Sequence, residues 1–247
     1  MRLSLVIPAY NESLRIERTL RAYRAALEAD AEIIVVANHC SDDTAAIAQR
    51  VAREMPGITV LDIPAAIGKG SAVRAGFERA QGQYVGFADA DLATPPDELH
   101  RVWDAAMLAD GAIASRWAPG SRVAGRTAGR SVASRVYAAF VRALLGLPFA
   151  DTQCGAKIFH RRYLPGYLAA SRVSDLAFDV ELLLLLTQAG ARVTEVPTLW
   201  ISQPGSSSLG TPAGFAKHAV RMVRSLVALW WRRHHPAPVP SGVARGE

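Results

Sequence analysis

A chain of 247 residues and 26.5 kDa, 50% hydrophobic, is long enough for one domain with a sizeable core. Its net charge of +6 and pI near 9.7 admit nucleic acid, an anionic membrane or phosphorylated ligands as partners. No finger, RNA-recognition or homeodomain signature occurs and no aromatics interleave with the basic residues, so nucleic acid is set aside.

Leu3-Ser4-Leu5-Val6-Ile7 is a β-rich run that stops at Pro8 and passes into the polar turn around Asn11-Glu12. After Ser13 an amphipathic helix is predicted, with Leu14, Leu20, Tyr23 and Leu27 recurring near helical spacing. Glu32 to Ala37 is a second strand, ending at Asn38-His39-Cys40-Ser41-Asp42-Asp43 before a helix from Thr44 to Glu54. Ile58 to Leu61 is a third, leading to Ile67-Gly68-Lys69-Gly70 and a helix from Ser71 to Ala80. The strand Tyr84 to Ala88 then delivers Asp89-Ala90-Asp91, and Leu92-Ala93-Thr94-Pro95-Pro96 cannot continue it. Gly111 to Ser115 and Ile158-Phe159 read as further strands, the latter lining the site. The run Leu182 to Leu186 reads as a core helix.

Strand-helix alternation at this spacing implies an α/β fold: a mostly parallel, Rossmann-like sheet with helices on both faces and ligands at the strands' C-terminal ends. The polar clusters Pro8–Glu12, Asn38–Asp43, Gly68–Gly70 and Asp89–Asp91 all fall at or just beyond such ends. Two carboxylates one residue apart suit a hard divalent cation carrying a diphosphate. The competing reading is a solvated turn before a helix capped by Asp97 and Glu98.

In order and spacing, Val6–Glu12, Gly68-Lys69-Gly70, Ala88–Pro95 and Asp151-Thr152-Gln153-Cys154-Gly155-Ala156-Lys157 resemble the family-2 inverting glycosyltransferases of the GT-A fold. The branch they most resemble is that of the dolichyl-phosphate β-glucosyltransferases and mannosyltransferases with their bacterial polyprenyl-phosphate relatives, and the likeness runs from about Leu3 to Ser208. The resemblance implies Pro8, Ala9, Tyr10 and Glu12 around the base and ribose of a nucleotide sugar, with Val36 and Asn38 completing the base pocket. It implies Mg2+ or Mn2+ held by Asp91, with Asp89 on the nucleotide or sharing the metal. Arg116 and Arg130 are the expected contacts to an acceptor phosphate, Arg126 and Ser134 secondary ones, and Arg122 and Arg135 solvated or structural.

Some positions depart from the family pattern. Asn38-His39-Cys40-Ser41 stands where relatives commonly have an Asp-Asp or Asp-Asn pair, leaving an amide carbonyl to meet the base. Ala93 replaces a polar residue that some metal-dependent relatives use as a further ligand. Gly68-Lys69-Gly70 lacks the upstream glycine of a phosphate-binding Walker loop, so Lys69 is either a diphosphate contact or a surface lysine. Asp151 and Gln153 are site candidates, with capping of their turn as the alternative. Asp179 either orients the arginines or caps its helix. His39 and His160 read as hydrogen-bonded residues beside strands, not as bases, and Trp200 as core.

From Gly111 to Ala150 there is no acid but there are Arg116, Arg122, Arg126, Arg130, Arg135 and Arg142, and Gly120, Gly125 and Gly129 predict a mobile loop carrying them over the site. Cys40 and Cys154 have no metal-like spacing, the start of the chain shows no signal segment, and no stretch reaches the ~18 apolar residues of a spanning helix. The expected organisation is a catalytic domain over 1–210, a basic amphipathic helix over 211–233 and a disordered tail over 234–247. Within that helix, Phe215, Ala219, Met222, Leu226 and Trp230 share a face, opposite Lys217, Arg221, Arg224 and Arg232. This stripe fits either a bilayer surface or the domain itself. The expected activity is transfer of a hexose, glucose from UDP-glucose, to polyprenyl phosphate by a peripheral enzyme at the cytoplasmic membrane face. GDP-mannose as donor, a soluble acceptor and an inactive nucleotide-sugar-binding module are the alternatives.

Overall fold

The computed structural model describes residues 2–203 and 212–235, apart from the side chains of 212–219. The predicted tail beyond 235, and the side chains of Phe215, Lys217 and Ala219, lie outside the described residues. The β-branched runs form the strands of one sheet: β1 (Leu3–Ala9), β2 (Glu32–Asn38), β3 (Ile58–Ile63), β4 (Tyr84–Ala88), β5 (Gly111–Ser115), β7 (Ala156–His160) and β8 (Val193–Pro197). A separate short pair joins β6 (Arg122–Ala124) to β9 (Leu199–Ile201). The sheet order is β3-β2-β1-β4-β7-β5-β8, and only β7 runs antiparallel to its neighbours.

Helices cover both faces, as the alternation requires. Leu3, Leu5 and Ile7 of β1 point into one core with Ile16, Leu20 and Tyr23 of α1 (Ile16–Ala26), Val51 of α2 (Thr44–Glu54) and Val102 and Trp103 of α4 (Pro96–Met107). Val6, Val36 and Phe87 point the other way, onto Val73 and Phe77 of α3 (Lys69–Arg79), Tyr167 of α6 (Leu164–Ala170) and Phe178 and Leu182 of α7 (Phe178–Gln188). Helix α7 also contributes Val180, Leu183 and Leu184 to a further core with α5 (Ala128–Leu145) and α8 (Pro212–His234). Burial on nearly all sides explains its uninterrupted leucines.

The structure corrects several sequence expectations. Leu14 is 92% exposed, because α1 begins at Ile16 and presents Ile16, Leu20 and Tyr23 to the sheet. The expected arginine loop is largely regular: Thr127 caps α5 by accepting from the Arg130 N–H, Gly129 lies inside the helix, and Gly146, at φ 63°, ends it in the left-handed conformation. Ile158 and Phe159 do not line the site, since β7 is buried between β4 and β5. The face of α8 bearing Leu226 packs on the domain, where Leu226 and Leu229 are buried beside Val141, Leu145 and Leu183. The exposed stripe of α8 is a different one: Val220, Val223, Val227 and Trp231.

Candidate active site

The chain adds β2 and β3 on one side of β1 and β4 on the other, so the strand order reverses between β1 and β4 and a crevice opens beyond their C-terminal ends. A cleft of about 510 Å³ occupies it. The turns that shape it carry unusual backbone: Asn11 after β1 (φ 53°), His39 after β2 (φ 54°) and Leu92 after β4 (φ 59°) are all left-handed without being glycine. Such strain persists only where surrounding contacts overdetermine it, and here they do. Asn11 Oδ1 accepts from the Ser41 N–H at 2.8 Å, Thr19 Oγ1 donates to the Ala90 carbonyl at 2.8 Å, and the Tyr23 hydroxyl donates to the Thr94 carbonyl at 2.8 Å.

Asp89 and Asp91 both line the cleft. Asp89 Oδ1 accepts from the Lys69 ammonium at 2.6 Å. Burial works against the charge on Lys69, but the nearby carboxylates of Asp89 and Asp179 outweigh it and hold the ammonium above its ordinary range. Asp91 accepts from the Ala93 N–H at 3.0 Å. Its burial, reinforced by the charge on Asp89, pushes its pKa up to about 6. A carboxylate pair short of positive charge, with one Asp91 oxygen not engaged by the Ala93 amide, suits a divalent cation whose other ligands come from a diphosphate. Among the described residues no three Asp, Glu, His or Cys side chains cluster as a self-sufficient metal site.

Pro8, Ala9, Tyr10, Glu12 and Asn38 line the same cleft. Glu12 is bonded to Arg15 Nε at 2.6 Å, yet burial still raises its pKa. Asn38 Oδ1 accepts from the Ile67 N–H at 3.2 Å, so the amide expected to read a base also fastens the turn before Gly68. Val36 is corrected: two residues short of Asn38 on β2, it is fully buried in the core beneath α3 and does not reach the cleft, which opens only beyond the strand's end. His39 reaches the cleft, but its Nδ1 lies 2.8 Å from the Pro64 carbonyl. His160 pairs with Tyr84 at the opposite end of β4.

The residues expected on the acceptor side assemble beside this cleft, in an arrangement the sequence does not show. Asp151 is buried and grips Arg116: Oδ2 accepts from the Arg116 N–H at 3.0 Å and from Nε at 2.7 Å, and Oδ1 from Nη2 at 2.9 Å. Arg116 is thereby held in a bidentate pair, not presented as an open fork. Burial favours the neutral acid, but Arg116 outweighs it and keeps Asp151 below the usual carboxylate range. Trp200 is partly buried against the core, as expected, and with Trp117 also stacks on both Arg116 and Arg126, at 5.5 to 5.8 Å. Burial and the charge of Arg116 lower Arg126 to about 10, and Arg130 adds to the same effect. Among the described residues, the buried Arg126 Nε and Trp117 Nε1 have no hydrogen-bond acceptor. Arg130 is exposed in the first turn of α5, and its carbonyl accepts from Arg126 Nη2 at 3.1 Å. Gln153 donates to the Leu176 carbonyl at 3.2 Å. Among the described residues Asp179 orients no arginine: it pairs with Lys157 at 2.5 Å inside the core.

Sequence reasoning missed Ala66, Asp175, Leu176 and Arg221, which complete the cleft wall. Asp175 Oδ1 accepts from the Ala177 N–H at 2.8 Å, so Ser174-Asp175 before the apolar helix carries a turn signal, but nothing local places it at the cleft.

Comparison with known proteins agrees with this geometry. The family Glycosyl transferase family 2 matches residues 4–167. Glycosyltransferase AglD of Haloferax volcanii is 34% identical over 93% of this chain, which spans 37% of that protein. Dolichyl-phosphate beta-glucosyltransferase ALG5C of Trichomonas vaginalis is 32% identical over 93% of this chain and 71% of its own length. Undecaprenyl-phosphate mannosyltransferase of Micrococcus luteus is 28% identical, over 94% of this chain and 96% of its own length. Among solved structures, glucosyl-3-phosphoglycerate synthase of Mycobacterium tuberculosis in complex with Mn2+, UDP and glucosyl-3-phosphoglycerate superposes with a TM-score of 0.68 at 20% identity, covering 98% of this chain and 83% of that one. With a mixed sheet carrying Asp89 and Asp91 at its switch point, and a family match over most of its length, this chain belongs to glycosyl transferase family 2 and has the GT-A fold.

Proposed function

We propose that this glycosyltransferase moves a hexose, glucose from UDP-glucose, to a polyprenyl phosphate at the cytoplasmic membrane face. The observation that carries the reading is one segment serving two charge systems: Asp151 holds Arg116, and Gly155, four residues on, abuts Asp89. The cleft with Asp89, Asp91 and Lys69 takes the nucleoside diphosphate. The orphaned Arg126 Nε and Trp117 Nε1, backed by Arg116 and Arg130, take the acceptor phosphate. A phosphate oxygen attacks the anomeric carbon as its bond to the diphosphate oxygen breaks, inverting the centre and releasing UDP. An ionised phosphate is already a nucleophile and requires no strong general base. Asp91 and Asp89 would hold Mg2+ or Mn2+, which offsets charge on the departing diphosphate. The relatives named for dolichyl phosphate and undecaprenyl phosphate support the acceptor class. A mannosyl donor is the second reading, favoured by the Micrococcus relative that this chain matches over nearly its full length.

No helix among the described residues is long and apolar enough to cross a membrane. Access to a lipid acceptor is assigned instead to neighbouring helices: α5 exposes Val132, Val136 and Phe140, and α8 exposes Val220, Val223, Val227 and Trp231 beside Arg224.

The test is incubation with UDP-glucose or GDP-mannose, plus dolichyl or undecaprenyl phosphate, read by mass spectrometry with and without chelator. A polyprenyl phosphohexose whose formation stops on chelation and resumes with Mg2+ or Mn2+ is the expected result. No product from any pair, or product undiminished by exhaustive chelation, overturns the acceptor or the metal assignment respectively.

A further inference from the structure

We propose that Arg221 of α8 binds a phosphate of the donor's nucleoside diphosphate, an assignment that rests on the nucleotide-sugar reading above. Arg221 lines the cleft that holds Lys69, Asp89 and Asp91. An anchor one turn further along the helix places it there: Ser225 Oγ donates at 2.8 Å to Oδ2 of Asp175, a residue of the cleft wall. Residues four apart share a helix face, so seating Ser225 on the wall turns Arg221 toward the cleft. Leu226 and Leu229, buried against α5 and α7, hold the helix in that pose. The wall is continuous with the turn that carries Lys69, since the Gly70 N–H donates to the Ser174 carbonyl at 2.9 Å, and a Cβ on Gly68 would overlap the same carbonyl.

Charge gives Arg221 its task. Among the described residues the cleft is lined by Glu12, Asp89, Asp91 and Asp175, against which stand only Lys69 and Arg221 as basic side chains. Lys69 is committed to Asp89 at 2.6 Å. Arg221 has no carboxylate partner among the described residues. The other α8 arginines are placed differently: Arg232 pairs with Glu181 at 3.0 Å, Arg233 donates to the Leu145 carbonyl, and Arg224 lies beside Val223 and Val227 on the outer face. A diphosphate adds negative charge to an already acidic cleft, and a guanidinium fork matches its oxygens. None of Arg116, Arg126 and Arg130 lines this cleft. The arginines therefore divide, Arg221 to the donor and the β5–α5 group to the acceptor.

The test is calorimetric titration of the full chain with UDP, and with uridine as a phosphate-free probe, at constant Mn2+. For Arg221→Ala we expect about ten-fold weaker UDP binding, unchanged uridine binding and an unchanged melting temperature, with Arg221→Lys recovering part of the loss. UDP affinity of Arg221→Ala within about two-fold of the parent, or a parallel loss for uridine, overturns the assignment while leaving the donor reading intact. A parent chain that binds neither UDP nor GDP overturns the donor reading and this assignment with it.

Discussion

The backbone of Gly155 lies so close to the carboxylate of Asp89 that a Cβ there would overlap Oδ2, while the Gly155 carbonyl accepts from the Asp89 N–H at 3.0 Å. The two residues come from the turn after β4 and from the segment preceding β7, far apart in sequence, and their pairing sets where the carboxylate can stand.

Gly155→Ala should therefore displace Asp89 without unfolding the sheet, because the clash is with a side chain at the crevice. Displacements on the order of 1 Å at a reacting centre cost about a hundred-fold in rate. The expected outcome is such a loss of turnover with a near-parent melting temperature; parent-like turnover would show that the position of Asp89 is not critical.

Arg116 and Asp151 form a buried pair whose rupture leaves a stranded charge. Asp151→Asn should cost about 3–5 kcal/mol in urea unfolding at pH 7. The folded pKa of Asp151 lies below its ordinary 3.8, so its contribution is fully present above that value and is lost as pH falls through the folded one. Acidification below about pH 4 should thus remove stability from the parent that the Asn variant does not have to lose. Equal acid sensitivity of the two proteins would place the titrating group elsewhere.

Arg126 and Arg130 offer the acceptor test. Arg126→Ala and Arg130→Ala should each lower acceptor efficiency about ten- to a hundred-fold, the worth of a charge-assisted contact, while leaving slow donor hydrolysis nearly unchanged. The larger effect is expected at Arg126, whose buried Nε lacks a partner among the described residues. If hydrolysis and transfer fall together, these arginines serve the donor or the fold.

Removing α8 would expose the core around Leu226 and Leu229, so membrane docking is better tested by surface changes. A chain with Val136→Ser, Phe140→Ser, Val227→Ser and Trp231→Ser should float with anionic vesicles at least about ten-fold less than the parent, since each apolar side chain contributes up to about 1.5–3 kcal/mol when buried. Undiminished flotation would remove these side chains from the docking surface.

The sequence alone determined the order and type of the strands through β5 and the placing of Asp89, Asp91, Glu12 and Lys69 at strand ends, because period, turn residues and strand-helix alternation are local signals. It mistook α5 for a loop although Thr127 and Gly146 mark its ends, since the intervening glycine and arginines masked the helical pattern. It also chose one apolar stripe of α8 where there are two. A hydrophobic face signals that something covers it but not what, and only the packing of α5, α7 and α8 decides which stripe is core and which is exposed. The burial of Val36, the Asp151–Arg116 pair, the close approach of Gly155 to Asp89 and the arrival of Arg221 at the cleft depend on residues distant in sequence. Short-range pattern carries no record of such contacts; the sheet order and the cores on its two faces create them.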